Sequence, residues 1–270
     1  MTRTVVFILS HIYSGSTWLS LLLGSHSRAF YLGEINKFYS NKDPMSCSLC
    51  DELSRTCPYF NDVHQIFYGD IHHLLFERTG KEVLVDNSKR VKWSRKLLND
   101  DRYRHKYIHL IKDPRAVYYS LVSRNRAPEL THWTERNLEI HQFISTFKLD
   151  AVVLTYNELA EQLDASLTGL CDWIGLNYEP VQKSYWNVEH HGPGNSSATR
   201  SFLPGAKSSD QQFYDDQRRT NFVDLRWREK LDTKVVKSIE TDPEVNSLLQ
   251  SLRLEFSETG LRKVYELAGT

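Results

Sequence analysis

The sequence has no long apolar run, little cysteine and no excess of charge of either sign. No stretch approaches the roughly 18 apolar residues of a membrane span. The amino-terminal MTRTVVFILSHIYSG has too short an apolar part for a signal peptide and no small-residue cleavage site. Lysine plus arginine equals aspartate plus glutamate at 34 each, so the overall charge predicts no affinity for nucleic acid or membranes. We therefore expect a soluble cytoplasmic protein in which any basic patch is local.

The order of apolar runs predicts the fold class. Strand-like runs alternate with helical patterns, which is typical of an α/β fold with a parallel sheet flanked by helices. The predicted strands are Val5–Leu9, Glu82–Asp86, Tyr107–Lys112 and Ala151–Thr155, and the predicted helices are Thr17–Gly24, Val91–Asn99, Ala116–Ser123, Thr134–Phe147 and Asn157–Ile174. No domain boundary is evident, so residues 1–270 are predicted to form one domain. A polar, cysteine-bearing stretch at 36–73 and a Gly/Ser/Pro-rich loop at 189–216 interrupt the alternation.

The first strand enters a helix through a loop that lacks the lysine of a nucleotide-binding loop. In ILSHIYSGSTWLSLLLGSH, residues 8–26, Gly15-Ser16-Thr17 stands where such loops have Gly-Lys-Thr. Backbone N–H groups at the start of the helix can bind an anion without a side-chain cation, and the loop hydroxyls add donors. A plain strand-to-helix turn capped by serine is the alternative. Without the lysine, a magnesium-dependent phosphotransferase is a poor fit.

A second strand-to-helix junction lies in HLIKDPRAVYYSLVSR, residues 109–124. Asp113-Pro114 is a strong helix start, because aspartate caps the helix and proline suits its first turn. Lys112 ends the strand, and Ser120 and Ser123 share one helix face. This arrangement suits a second, separate phosphate. The alternative is that Lys112 and Arg115 form surface ion pairs.

Together these stretches resemble the sulfotransferases that use 3'-phosphoadenosine 5'-phosphosulfate (PAPS). The resemblance spans roughly residues 5–205 and is closest to the bacterial type and the carbohydrate and tyrosyl-protein branch. It rests on the order and spacing of Ser14-Gly15-Ser16-Thr17, Gly33-Glu34, LVDNSK ending at Lys89, Lys112-Asp113-Pro114-Arg115-Ala116 with Ser120, TYNEL at Thr155–Leu159, and HHGPGN at His190–Asn195 with Arg200. It implies a P-loop nucleotide-kinase-like three-layer fold.

The resemblance also implies roles for individual residues. The first loop would bind the 5'-phosphosulfate, Lys112 and Ser120 the 3'-phosphate, and Trp18 the adenine. The full donor-site set is Tyr13, Ser14, Gly15, Ser16, Thr17, Trp18, Lys112, Ser120, Asn195 and Arg200. Glu34 takes the position of a catalytic glutamate, and His190 or His191 is the alternative base. Trp18 could equally be a core aromatic residue, and Glu34 a solvated loop carboxylate.

Two positions depart from the family pattern. Tyr13 stands where the family usually has arginine or lysine, which removes a positive charge from the leaving phosphate. Lys112 replaces the usual arginine, which keeps the charge and loses bidentate geometry. We expect Lys89 to supply the charge that Tyr13 lacks.

The predicted function is transfer of a sulfuryl group from PAPS to the hydroxyl of a carbohydrate or another small molecule, without a catalytic metal. Such a transfer needs a base for the acceptor proton and donors that hold the leaving bisphosphate. A kinase-like phosphotransferase and a non-catalytic nucleotide-binding protein are the alternatives. The acceptor cannot be read from the sequence, because acceptor loops are grafted onto a common fold.

The cysteines allow two interpretations. Cys47, Cys50 and Cys57 have metal-like spacing, whereas Cys171 is distant in sequence. A cytosolic setting argues against disulfides. One interpretation is a structural zinc site completed by Cys171 or a histidine. The other, which we prefer at this stage, is a lid or an acceptor-binding insertion.

Overall fold

A five-stranded parallel sheet forms the centre of the molecule in a computed structural model, which describes residues 3–39, 46–193, 215 and 223–264. The strand order is β2-β3-β1-β4-β5. The strands are β1 (Thr4–Ser10), β2 (Ala29–Gly33), β3 (Val83–Lys89), β4 (Arg104–Ile111) and β5 (Ala151–Thr155), followed late in the chain by a small antiparallel hairpin of β6 (Leu254–Phe256) and β7 (Leu261–Lys263).

Helices cover both faces of the sheet, as the alternating pattern predicts. They are α1 (Ser16–Gly24), α2 (Ser48–Glu52), α3 (Ile71–Thr79), α4 (Val91–Lys96), α5 (Pro114–Val122), α6 (Leu130–Phe147), α7 (Tyr156–Glu161), α8 (Leu163–Ile174), α9 (Arg226–Lys230), α10 (Thr233–Glu240) and α11 (Pro243–Ser251). Short 3₁₀ segments lie at Ile35–Tyr39, Val63–Gln65, Tyr68–Asp70 and Pro180–Asn187. Among the described helices, none has the length and apolarity needed to cross a membrane.

The burial of the central strand β1 reflects the helices that cover both faces of the sheet. All seven of its residues are buried, as expected of a strand covered on both faces. Its side chains alternate between two apolar cores: Phe7 belongs to the core that α3, α4 and α6 help to form, and Ile8 to the core beneath α1, α7 and α8. A third core joins β4, α5 and α6 to the carboxyl-terminal helix α11 and hairpin.

The strand order creates a crevice at the carboxyl edge of the sheet. From β1 the chain passes to β2 on one side, whereas β4 and β5 lie on the other side of β1. Ligands of open α/β sheets bind where strand order reverses in this way. The loops that follow β1, β2, β3 and β4 therefore surround one site, and they carry most of the predicted site residues.

The predicted fold class is confirmed, and three local predictions are wrong. Residues 29–33 form the edge strand β2, where no strand was expected. The helix expected over 157–174 is two helices that break at Gln162, where the backbone is not helical (φ −129°, ψ 49°). The strand expected over 107–112 ends at Ile111 and does not include Lys112.

Candidate active site

The β1–α1 loop carries backbone N–H groups and hydroxyls at the start of α1. Gly15 precedes the helix in a left-handed conformation (φ 83°), and no side chain caps the helix. The Ser14 side chain is buried, and its Oγ has no hydrogen-bond partner within the part of the chain that the structure describes. A buried hydroxyl without a partner is costly, so this loop has the donors that an anion needs.

Position 15 accepts only glycine, for two reasons. Its φ of 83° lies in the left-handed region, and a Cβ there would lie 2.8 Å from Cδ2 of Tyr156. Tyr156 follows β5 and packs beside the loop. The tight loop therefore depends on a residue from the far side of the sheet.

Glu34 and Lys89, the predicted base and the predicted cation, form an ion pair. The Lys89 Nζ lies 2.7 Å from Glu34 Oε1, and the Lys37 Nζ lies 3.2 Å from Glu34 Oε2. Burial disfavours the charged Glu34 carboxylate, but the two lysines outweigh it and hold its pKa below the ordinary value. Burial lowers the pKa of Lys89 in spite of its acidic partner.

The backbone around Lys89 is irregular. Lys89 has a φ of 62°, and the pairing register between β1 and β3 shifts just before it, between Phe7 and Leu9. Left-handed backbone at a residue other than glycine costs about 1–3 kcal/mol and occurs preferentially at functional sites. Tyr13, with a φ of 61°, is a second such residue in the same crevice.

Strand β3 also contributes two buried polar side chains with different surroundings. Asp86 accepts hydrogen bonds from Trp93 Nε1 at 2.8 Å and from the backbone N–H of Ser88 at 2.9 Å, and His72 Nε2 lies 3.1 Å away. These contacts make Asp86 a structural carboxylate. Asn87 donates to Thr17 Oγ1 at 3.4 Å, but its own Oδ1 has no partner among the described residues.

Lys112 forms a buried ion pair rather than the surface pair considered from the sequence. Its Nζ lies 3.0 Å from Asp224 Oδ2 and 4.3 Å from the centroid of the Tyr156 ring. Asp224 also pairs with Arg226 at 2.8 Å. Although burial opposes ionisation, Lys112 and Arg226 keep the pKa of Asp224 well below its ordinary range.

The remaining residues of the second junction have structural partners. Asp113 caps α5 through the N–H of Arg115 at 2.7 Å, as predicted. The Arg115 guanidinium is buried, pairs with Asp113 and Glu240, and lies 4.1 Å from the Trp227 ring centroid. Ser120 is buried and donates to the carbonyl of Ala116 at 2.9 Å.

Two aromatic residues of the first loop also have clear neighbours. The Arg124 guanidinium packs on the ring of Tyr13, with its Cζ 4.9 Å from the ring centroid. Trp18 is buried and lies 5.9 Å from Tyr156 between ring centroids. This is the environment of a core aromatic residue, the alternative considered for Trp18.

The two histidines proposed as alternative bases have other partners. His190 is buried, and its Nε2 lies 2.8 Å from the carbonyl oxygen of Tyr185. Burial lowers the pKa of His190 to about 4. His191 Nδ1 faces the sulfurs of the three cysteines in 47–57. Of the three candidate bases, Glu34 is the one that pairs with lysines.

Two of the predicted site residues lie outside the described part of the chain, and three residues near the site were not predicted. Asn195 and Arg200 lie outside the described residues. Sequence reasoning missed Lys37, Asn87 and Asp224 as parts of the site. Lys37 and Asn87 adjoin predicted motifs and could have been found from them, whereas Asp224 lies 112 residues after its partner Lys112.

The fold of the chain is similar to that of solved sulfotransferases. No protein-family model matches the sequence, and neither does any curated protein. The sulfotransferase domain from the curacin biosynthetic pathway has a TM-score of 0.62 at 19% identity, over 93% of this chain and 97% of that one. The sulfotransferase domain of the Synechococcus PCC 7002 olefin synthase gives 0.63 at 18%, over 95% and 96%.

A mammalian structure extends the similarity. Mouse sulfotransferase SULT7A1, solved in complex with PAP, has a TM-score of 0.51 at 12% identity, over 92% of this chain and 85% of that one. Each of these similarities covers nearly the whole described fold. The chain therefore has the sulfotransferase fold, with a central parallel sheet and a P-loop-like first loop.

Proposed function

We propose that this protein transfers a sulfuryl group from PAPS to the hydroxyl of a small-molecule or glycan acceptor, in the cytoplasm. The observation that carries the proposal is the convergence of three features at one edge of the sheet. These are the anion-binding loop before α1, the Glu34–Lys89 pair and Lys112. The sulfotransferase fold provides the frame for this site.

The first loop suits the 5'-phosphosulfate. Ser14 offers a buried hydroxyl that has no partner within the described chain, and the left-handed Gly15 lets an anion approach the backbone. Ser16 and Thr17 open helix α1 and add hydroxyl groups. These are neutral donors, so the positive charge for the leaving phosphate must come from elsewhere.

Lys112 and Ser120 suit the 3'-phosphate of the same nucleotide. Tyr156 lies near both regions: a Cβ on Gly15 would lie 2.8 Å from Cδ2 of its ring, and the Lys112 Nζ lies 4.3 Å from the ring centroid. The two proposed anion sites thus share Tyr156 as a neighbour. In this proposal the phosphate competes with Asp224 for Lys112.

The chemistry uses Glu34 as the base and Lys89 as the cation. Glu34 takes the proton of the acceptor hydroxyl, and the acceptor oxygen forms the new bond to sulfur. The bond between sulfur and the phosphate oxygen breaks, and the leaving bisphosphate carries the released charge. Lys89, which donates a hydrogen bond to Glu34 Oε1 at 2.7 Å, stabilises that charge.

One observation favours a second candidate, a protein that binds nucleotide without turnover. Both lysines assigned to the donor are paired with internal carboxylates, Lys89 with Glu34 and Lys112 with Asp224. A protein that only binds would need no free base at Glu34. Turnover therefore has to be measured separately from binding.

The test incubates the full chain with PAPS labelled in the sulfuryl group and a panel of sugars, phenols and aliphatic alcohols, without magnesium. We expect label in at least one acceptor class and release of the bisphosphate in equal amount. Bisphosphate binding without any transfer would support the binding protein instead. Magnesium-dependent ATP turnover would support a phosphotransferase and overturn the proposal.

A further inference from the structure

Three cysteines and a histidine outside the candidate active site come together in the fold. Cys47, Cys50 and Cys57 lie between β2 and α3, and His191 lies more than 130 residues later. All four side chains are buried, and their candidate ligand atoms lie within 4.8 Å of one another. The cysteines are all free thiols. We propose that this cluster binds one zinc ion and that the zinc is structural.

The distances in the cluster agree with a tetrahedral zinc site. The Nδ1 of His191 lies 3.7 Å from the sulfur of Cys47, 3.4 Å from that of Cys50 and 3.6 Å from that of Cys57. Zinc bonds of about 2.3 Å to sulfur and about 2.0–2.1 Å to nitrogen, in a tetrahedron, separate nitrogen from sulfur by about 3.6 Å. The histidine nitrogen therefore already lies at the distance from each sulfur that zinc requires.

The imidazole is oriented from its other side. Its Nε2 lies 3.4 Å from Glu189 Oε2, and Glu189 also pairs with Arg55 at 3.1 Å. A carboxylate on the second nitrogen of a ligating histidine fixes the ring and is common around zinc. Phe30 stacks on the same ring, with an interplanar angle of 11°.

The type of ligand selects the metal and its role. Three thiolates and one imidazole in a tetrahedron are typical of zinc and provide no open position for water or substrate. The site is therefore closed and does not act as a Lewis acid. Cys171 is not part of it, because its thiol is buried elsewhere and donates to Gln182 Oε1 at 3.4 Å.

The zinc would hold residues 46–70 against the segment that contains His191 and Pro193, close to Glu34. Residues 46–70 contain only short helical segments, so regular secondary structure stabilises them little. Cys47 forms an isolated bridge with Pro193, and the N–H of Ser48 donates to the carbonyl of Gly192 at 3.1 Å. The backbone oxygen of Pro193 in turn packs on Gly33, immediately before Glu34. This inference does not rest on the proposed activity.

Metal content tests the proposal without any assay of turnover. The full chain is expressed with zinc, purified with a non-thiol reductant and analysed by mass spectrometry for metals. We expect about one zinc per chain in the wild type and in Cys171→Ser, a matched change of a buried thiol. Cys50→Ser should lose nearly all of the zinc and unfold at a lower temperature.

A cobalt titration of the wild-type chain tests the proposal even if Cys50→Ser fails to fold. The wild-type chain is stripped by a chelator under reducing conditions and titrated with Co²⁺. Thiolate charge-transfer bands and the strong visible bands of tetrahedral cobalt should appear at one equivalent, and His191→Cys should shift them. A folded, reduced wild type that carries no zinc and gives no such bands would overturn the proposal, as would a spectrum that His191→Cys leaves unchanged.

Discussion

At the scale of single residues, the ion pair between Glu34 and Lys89 is the feature most relevant to chemistry. The resemblance to the sulfotransferases predicted that both residues belong to one site, although no strand was expected before Glu34. It could not predict the distance of 2.7 Å or the second lysine, Lys37. Side-chain contacts of this kind depend on the 3₁₀ turn after β2, which the local sequence pattern does not specify.

Replacing Glu34 tests its role as the base. Glu34→Gln keeps the shape of the side chain and removes the proton acceptor, so turnover should fall by about 10²–10⁴-fold. The affinity for the bisphosphate should change little, because Glu34 does not bind it in the proposal. Glu244→Gln, which changes an exposed carboxylate on α11, is the matched control. An unchanged rate for Glu34→Gln would remove Glu34 from catalysis.

The pH dependence of turnover tests the same carboxylate through its neighbour. Lys37 helps to hold the pKa of Glu34 below its ordinary value. Lys37→Met should therefore raise that pKa and move the acidic limb of the pH–turnover profile to higher pH. Lys37→Arg, which keeps the charge, should leave the limb near its wild-type position. If the acidic limb of the Lys37→Met profile stays at its wild-type pH, that limb reflects the titration of a group other than Glu34.

At the scale of elements, the β1–α1 loop was predictable and the edge strand β2 was not. The loop has a distinctive pattern, an apolar strand followed by Ser-Gly and an apolar helix. The β2 sequence, AFYLG, is only five residues long and follows α1 closely. A short apolar run does not by itself distinguish a buried strand from the end of a helix. The parallel pairing of this run with β3 makes it a strand.

The loop itself is tested by adding a single methyl group. Gly15→Ala forces a Cβ into left-handed backbone and to within 2.8 Å of the Tyr156 ring. We expect a loss of about 1–3 kcal/mol in the free energy of unfolding and much weaker nucleotide binding. Gly169→Ala is the matched control: Gly169 is an exposed residue of helix α8, and a Cβ there would have no neighbour within 4 Å outside its own helix, so alanine there should stabilise the chain by about 0.5–1 kcal/mol. Equal effects of both changes on unfolding would contradict the role given to Gly15.

At the scale of the whole molecule, the cations of the site are paired with acidic side chains of the same chain. Each cation assigned to the donor has an internal acidic partner, and the partner of Lys112 comes from a segment that precedes α9. A sequence pattern carries no information about a contact across 112 positions, so Asp224 could not be predicted. The cysteine cluster shows the same limit, because spacing indicated three ligands but only the fold brings His191 to them.

Asp224 provides a test of competition at Lys112. If the 3'-phosphate shares Lys112 with Asp224, Asp224→Asn removes a negative charge next to the bound anion. Two like charges about 5 Å apart repel by about 3 kcal/mol at an effective dielectric constant of 20, so 3'-phosphoadenosine 5'-phosphate should bind at least about tenfold more tightly. Adenosine 5'-phosphate, which lacks the 3'-phosphate, is the control ligand and should bind as before. Weaker bisphosphate binding would show instead that Asp224 positions Lys112 in the complex.

Calorimetric titration with these two nucleotides tests the donor site most directly. The extra phosphate should gain about 1.5–3 kcal/mol from hydrogen bonds to charged groups, which is about tenfold to 150-fold in affinity. Lys112→Ala should remove most of that difference and leave adenosine 5'-phosphate binding nearly unchanged. Equal affinity of the wild-type chain for both nucleotides would contradict a 3'-phosphate site, and with it the assignment of PAPS as the donor.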